Sequence, residues 1–235
     1  MRRFWDHAEP ERAADGWHVM LDDRPVRLPD GAPHLLATSR LADAVAAEWR
    51  QAGGARGGVM SYADVKLTRI AGTAQSRIAP DPERTVRELA RFGGADLLCY
   101  RAGRPEALVR RQHERWQPWL DWAAQTYGAR LIVTTGVMHV TQDAQALAAL
   151  ARAVASYDPA GLAALGVAVP ALGSLVLGLA LGAGRLAAAE AHELACLDEL
   201  FQAALWGEDD EALTRRRRIG EDVALAGRFL ELAGS

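Results

Sequence analysis

The chain has 235 residues, 50% apolar and 24% charged, a balance that builds a packed core and excludes a largely disordered protein. The formal net charge is −3 and Lys66 is the only lysine, so the positive charge is arginine scattered along the chain. A nucleic-acid binder concentrates basic charge in a net-positive domain, and nucleic acid is not an expected partner.

Patterned sequence begins almost at once with Arg3-Phe4-Trp5. With no apolar signal region or Arg/Ser-rich presequence ahead of it, the expected location is cytoplasmic. Trp17, Val19 and Leu21 alternate as a strand, Asp22-Asp23-Arg24-Pro25 turns, and Val26 and Leu28 resume, giving a hairpin. A third strand is expected at His34 to Ala37, then a helix from Ser39 with Leu41, Ala44, Val45 and Trp49 on one face. The run Gly53 to Gly58 ends this unit as a loop. Helical spacing returns at Leu67, Ile70, Ala71, Ala74 and Ile78. It appears again behind Asp81-Pro82, an N-cap with proline at the first helical position.

A longer helix runs from Pro105 to Tyr127, kinked or broken at Pro118. On it Trp116, Trp119 and Trp122 form either a core seam, the favoured reading, or an exposed patch. An extended piece, Leu131 to Val133, precedes a helix over Asp143 to Ser156. Pro159 to Gly184 carries no charge and is long enough to cross a bilayer, but prolines and glycines punctuate it. Pro170 is expected to break it, leaving a helix from Ala171 to Ala183 whose leucines and valines cover nearly the whole circumference. That pattern marks a helix buried among helices, so no membrane insertion is expected. Two further helices follow, at about Leu186 to Leu205 and Asp209 to Leu232. The fold class is α+β: a small N-terminal hairpin/sheet-plus-helix domain over 1–58, then a multihelical C-terminal domain over 59–235.

No catalytic constellation emerges. The histidines, at 7, 18, 34, 113, 139 and 192, include no helical pair. His192-Glu193 opens like a zincin helix, but Cys196 stands where the second imidazole belongs, so His192 is read as solvent-facing. Ser174 lacks the glycines of a nucleophile elbow and reads as a small residue inside a packed helix. Gly53 to Gly58 lacks the lysine of a phosphate loop. Cys99 and Cys196 read as buried free thiols. A cofactor-free binding protein is therefore favoured over an enzyme. The competing reading is a small-molecule enzyme with an unrecognised carboxylate site such as Asp198-Glu199.

Several segments in order resemble the ATP-twelve chaperone family. They are Arg3-Phe4-Trp5, the hairpin ending at Arg27, Ala46-Ala47-Glu48-Trp49, and Leu67-Thr68-Arg69-Ile70-Ala71. Further along come Ala95-Asp96-Leu97-Leu98-Cys99-Tyr100-Arg101, Gly173 to Ala180, and Leu197-Asp198-Glu199 through Trp206-Gly207-Glu208-Asp209. The resemblance implies two domains, no cofactor, and a role as a molecular chaperone in F-type ATP synthase assembly. The implied partner is the unassembled alpha subunit of the catalytic head, held until it pairs with beta. Eukaryotic relatives are mitochondrial. A functionally important acidic position is implied in the Asp198-Glu199 region.

On the helix before Trp206, the residues Leu194, Leu197, Phe201 and Leu205 form one apolar stripe, leaving Asp198, Glu199 and Gln202 to point elsewhere. Partner contacts are assigned to these three polar residues and to Trp206, Glu208 and Asp209. In the competing structural readings Trp206 closes the core and the acids Glu208 to Glu211 pair at i,i+4 with Arg215 and its neighbours. Replacing both Asp198 and Glu199 by lysine is expected to abolish partner capture without lowering thermal stability.

Overall fold

The computed structural model describes residues 1–234. The elements are β1 (Ala8–Ala13), β2 (Gly16–Leu21), β3 (Arg24–Pro25), α1 (Ser39–Gln51), α2 (Lys66–Thr73), α3 (Pro82–Ala90), β4 (Tyr100–Arg101) and α4 (Glu106–Tyr127). They continue with β5 (Thr134–Thr135), α5 (Ala144–Ala155), α6 (Pro159–Leu172), α7 (Leu175–Gly182), α8 (Ala188–Ala195), α9 (Leu197–Trp206) and α10 (Asp210–Ala233). The class is α+β, with a small sheet near the N-terminus and helices beyond it.

Residue contacts divide the chain into two compact units. One is Met1–Pro82 with Pro159–Ala164 and the C-terminal residues from Arg228; the other is Glu83–Asp158 with Leu165–Gly227. The division expected at 58/59 would part α2 from the sheet, whereas here α2 belongs to the first unit. Glu48 on α1 accepts hydrogen bonds from the Leu67 and Thr68 backbones (2.7 and 3.1 Å), and the Trp49 indole donates to Thr68 Oγ1 at 3.0 Å.

In the first unit β1 pairs antiparallel with β2, from Ala8↔Leu21 to Ala13↔Gly16. Ala8–Ala13 was not anticipated as a strand, because an edge strand of sequence AEPERA lacks apolar alternation. β2 pairs with β3 through Met20↔Pro25 and Leu21↔Arg24, so the turn tightens to Asp22-Asp23. Asp22 adopts φ 49°, a conformation aspartate tolerates, and its carboxylate accepts from the Asp6 and His7 backbones. The expected third strand reduces to isolated bridges, Trp17↔Leu36 and Arg27↔Pro33. Thr38 caps α1 by accepting from Leu41 N at 3.1 Å. Arg3 is buried and donates to the carbonyls of Trp5, Asp6, Arg50 and Gly54 at 2.6–3.1 Å, fastening the N-terminus to the end of α1.

In the second unit α4 runs unbroken through Pro118. Pro118 and Glu114 both lie on its exposed face, where solvent serves the carbonyl that the proline leaves unbonded. Trp116 is buried and donates to Leu194 O at 2.9 Å. Trp119 and Trp122 are half-buried, with Trp122 edge-on to Tyr127, so the three indoles are not a single core seam.

The uncharged stretch breaks at Gly173-Ser174 and not at Pro170, which falls within the last turn of α6. Gly173 takes φ +62°, open to glycine, and Ser174 follows in an extended conformation, its side chain accepting from Leu177 N at 3.0 Å. Ser174 is thus the cap of α7 rather than a residue inside a helix. Asp96, fully buried, reinforces that cap by accepting from Val176 N at 3.0 Å. Burial raises the Asp96 carboxyl to about 6 despite these bonds. Leu175, Val176, Leu177, Leu179 and Ala180 have no exposed surface. At Gly178 a Cβ would lie 2.4 Å from Val169 Cγ2, so only glycine lets α6 approach this closely. No helix among the described residues is long and apolar enough to cross a membrane.

A candidate partner-binding site at the α9–α10 elbow

The expected single helix over 186–205 is two, α8 and α9, interrupted at Cys196. Leu194 and Leu197 are buried, Phe201 is half-buried, and Leu205 and Trp206 are 59% and 79% exposed. The apolar stripe therefore starts in the core and emerges into solvent, and Trp206 does not close the core. Gly207, at φ +93°, ends α9 and turns the chain. Asp209 then caps α10 by accepting from Ala212 N at 2.8 Å.

This elbow encloses an open cleft of about 400 Å³. Five of the six residues assigned to partner contact line it: Glu199, Gln202, Trp206, Glu208 and Asp209. Arg215 and Arg216 form its other wall. Arg215 reaches back to α9, 2.9 Å from Glu199 Oε1, while Glu211, one turn back in its own helix, acts on it more weakly. The Arg216 side chain is only 6% exposed; it donates to Glu208 and lies 3.9 Å from Glu199 Oε2. Glu199 Oε2 is buried without a hydrogen-bond partner.

Asp198 faces the other way. Gln112, fully buried on α4, donates to Asp198 Oδ1 at 2.8 Å and accepts from Ala102 N at 2.8 Å. Arg101, also buried, donates to the Gln112 carbonyl at 2.7 Å and lies over the Trp116 ring at 5.3 Å. Burial raises the Asp198 carboxyl above its ordinary range, opposed by the Gln112 hydrogen bond and the Arg101 charge. Asp198 and Glu199 are thus adjacent in sequence but do not converge on one cleft. Asp198 fixes the seat of α9 on α4, while Glu199 looks into the elbow.

Sequence reasoning missed Gln112 and Arg101, which lie far from Asp198 along the chain, and the pairing of Arg215 with Glu199. His192 is not solvent-facing: it is half-buried with its ring against Gly220 of α10. Cys99 and Cys196 are free and buried, and burial pushes their thiols up to about 12 and about 11. Among the described residues no group of three or more His, Cys, Asp or Glu side chains could hold a metal ion.

An exposed tryptophan and leucine at the mouth of a charged cleft have the make-up of a surface that holds another protein. Comparison with known proteins gives that class its family. The model of the family described as ATP12 chaperone protein matches residues 2–124. The crystal structure of Atp12 from Paracoccus denitrificans is similar at 43% identity and a TM-score of 0.91, over 99% of this chain and 98% of that one. A mutant of P. denitrificans Atp12p matches at 42% identity and a TM-score of 0.91, over 99% and 97% of the two chains. A protein of Agrobacterium tumefaciens, named as a proposed chaperone, matches at 39% identity and a TM-score of 0.88, over 98% and 85%. The chain belongs to the ATP12 chaperone family. The elbow lies beyond the segment matched by the family model but inside the part shared with these solved structures.

Proposed function

We propose that the protein is a molecular chaperone of F-type ATP synthase assembly. It binds the unassembled alpha subunit of the catalytic head in the cytoplasm, without a cofactor, until that subunit pairs with beta. A chaperone for one subunit must cover an apolar, assembly-competent surface and still be displaced, which calls for a modest interface with an aromatic centre and a charged rim. The observation that carries the reading is the open elbow, where Trp206 and Leu205 stand exposed beside Glu199, Gln202, Glu208 and Asp209. In this reading those residues touch the partner, and Asp198 positions them through Gln112. The enzymatic alternative draws no support from the Asp198-Glu199 pair, whose carboxylates are taken up by different neighbours, Gln112 and Arg215.

Co-expression with each subunit of the catalytic head separately tests the proposal. The alpha subunit should become soluble and co-purify with the chain, while beta should not. Solubilisation of beta alone, or of neither subunit, overturns it.

A further inference from the structure

We infer that the outer edge of β5 takes up an extended, uncharged apolar segment of the unassembled partner as an added strand, continuing the β4–β5 sheet. This deepens the proposed chaperone reading, and rests on it, by naming the form in which a segment of the partner is held. Three observations lead to it.

First, the inner side of this stretch is anchored and the outer side is not. The buried Gln142 amide accepts from Ile132 N at 2.7 Å and donates to Ile132 O at 2.9 Å, and Gly136 N donates to Arg101 O at 2.8 Å. Between these anchors Thr134 and Thr135 run parallel to Tyr100 and Arg101. β4 has no donor for the carbonyls of Val133 and Thr135, because the Tyr100 N–H is bonded to Leu97 O and the Ala102 N–H to Gln112 Oε1. Strand alternation turns those carbonyls outward, along an edge that no other strand covers among the described residues.

Second, this edge lacks the protection that the molecule gives its other one. β1, also an edge strand, carries Glu9, Pro10, Glu11 and Arg12, the charges and proline that discourage pairing with another chain. Leu131 to Met138 has neither a charge nor a proline. Ile132 and Val133 are 46% and 41% exposed, and Val137 and Met138, at the turn beyond, are 93% and 78% exposed. That turn is pinned to β4, with the Tyr100 hydroxyl 3.3 Å from His139 Nδ1.

Third, the edge specifies its occupant. Outward backbone carbonyls select an extended backbone, and the uncharged apolar strip beside them selects uncharged apolar side chains. Ile132, Val133, Val137 and Met138 with one short edge fall short of the roughly 1,200 Å² at which stable interfaces begin. A second copy of the chain therefore gains too little here to stay paired, whereas a contact of this size suits a partner that must be released.

The test uses the full chain and two fluorescently labelled peptides of one sequence, alternating valine and threonine behind a soluble Gly/Ser tail. In one of them two consecutive central nitrogens are methylated, which removes a donor from each edge and keeps every side chain. Anisotropy should show saturable binding of the unmethylated peptide and about tenfold or more weaker binding of the methylated one. Val133→Pro, which removes an N–H and crowds the edge, should weaken the unmethylated peptide by about tenfold, and Met138→Ser, at an exposed position, by about threefold. Equal binding of the two peptides, no saturable binding, or indifference of a folded Val133→Pro chain would each overturn the inference. So would a wild-type dimer that Val133→Pro dissolves, since a second copy would then cover the edge. If Val133→Pro does not fold, the methylated peptide on the wild-type chain decides. Should the edge fail these tests while the wild-type chain solubilises the alpha subunit, the inference falls and the chaperone reading stands. Edge binding in a chain that solubilises no alpha subunit leaves strand addition supported and removes the chaperone reading.

Discussion

Two apolar helices of the second unit meet opposite fates. α7, LVLGLALG, is sealed on every side, and even its N-terminal amides are served by the buried Ser174 and Asp96. α9, LDELFQAALW, buries Leu197, half-buries Phe201, and leaves Leu205 and Trp206 in solvent. The contrast lies in what surrounds each helix as well as in its make-up, for α7 carries no polar side chain whereas α9 carries Asp198, Glu199 and Gln202. α7 is flanked by α4 and α8 and meets α6 where Gly178 opposes Val169. α9 is anchored at its start by Asp198 on Gln112 and has no cover at its end. A protein that keeps an uncovered tryptophan beside a charged cleft retains binding capacity that its own folding does not use.

If that contrast is right, damage to α7 should register as lost stability and damage to the end of α9 as lost binding. The largest stability effect is expected from Leu177→Ala. It deletes a side chain with no exposed surface and should lower the unfolding free energy by about 2–5 kcal/mol in a denaturant titration. A change below about 1 kcal/mol would mean that α7 is not the close-packed centre described.

Next is a pH effect at the α7 cap. The folded Asp96 carboxyl titrates at about 6, above its ordinary value of 3.8, because burial disfavours the charge. Its contribution to stability is therefore full below about pH 4 and is lost as the pH rises through 6. Compared with the non-titrating Asp96→Asn, the wild type should gain roughly 3 kcal/mol between pH 7 and pH 4. Parallel pH profiles for the two proteins would contradict the raised value.

A smaller loss is expected at the anchored end of α9. Asp198→Lys leaves the buried Gln112 amide without its acceptor and brings a cation towards Arg101, costing about 1–3 kcal/mol. The double lysine variant at 198 and 199 should therefore lose stability as well as capture, contrary to the expectation from sequence. Glu199→Lys is no cleaner, since it sets a cation against Arg215 and the buried Arg216, and the exposed Trp206 is the position that separates the two effects.

What the sequence revealed follows from how local each signal is. The uncharged run announced a buried α7, because burial all round a helix is written in the run itself. The break at Gly173-Ser174 was also written there, as a glycine followed by a capping residue, but Pro170 three residues earlier drew the boundary to itself. β1 escaped notice because an edge strand with one buried residue in AEPERA needs no alternation. At the site, Trp206 and the acids after it were legible as candidates, since a tryptophan before a glycine at a helix end is conspicuous. Their exposure was not, because it depends on which neighbour fails to arrive. The different partners of Asp198 and Glu199 were hidden for the same reason: Gln112 is 86 positions away from Asp198, and helical spacing gives the angle between neighbours but not which of them meets the core.

The smallest stability effect and the sharpest test of the contrast coincide at Trp206. Its side chain is the largest one left exposed at the elbow, so Trp206→Ala should shift unfolding by no more than about 0.5 kcal/mol. An aromatic at the centre of a recognition surface, by contrast, carries about 2 kcal/mol or more of binding. The same substitution should then reduce co-purification of the alpha subunit by at least about tenfold. Leu177→Ala, measured at a temperature where it remains folded, should retain capture, because Leu175, Val176, Leu177, Leu179 and Ala180 of α7 have no exposed surface. Equal losses of capture in the two variants would show that binding depends on overall stability, and the elbow would then have no privileged role.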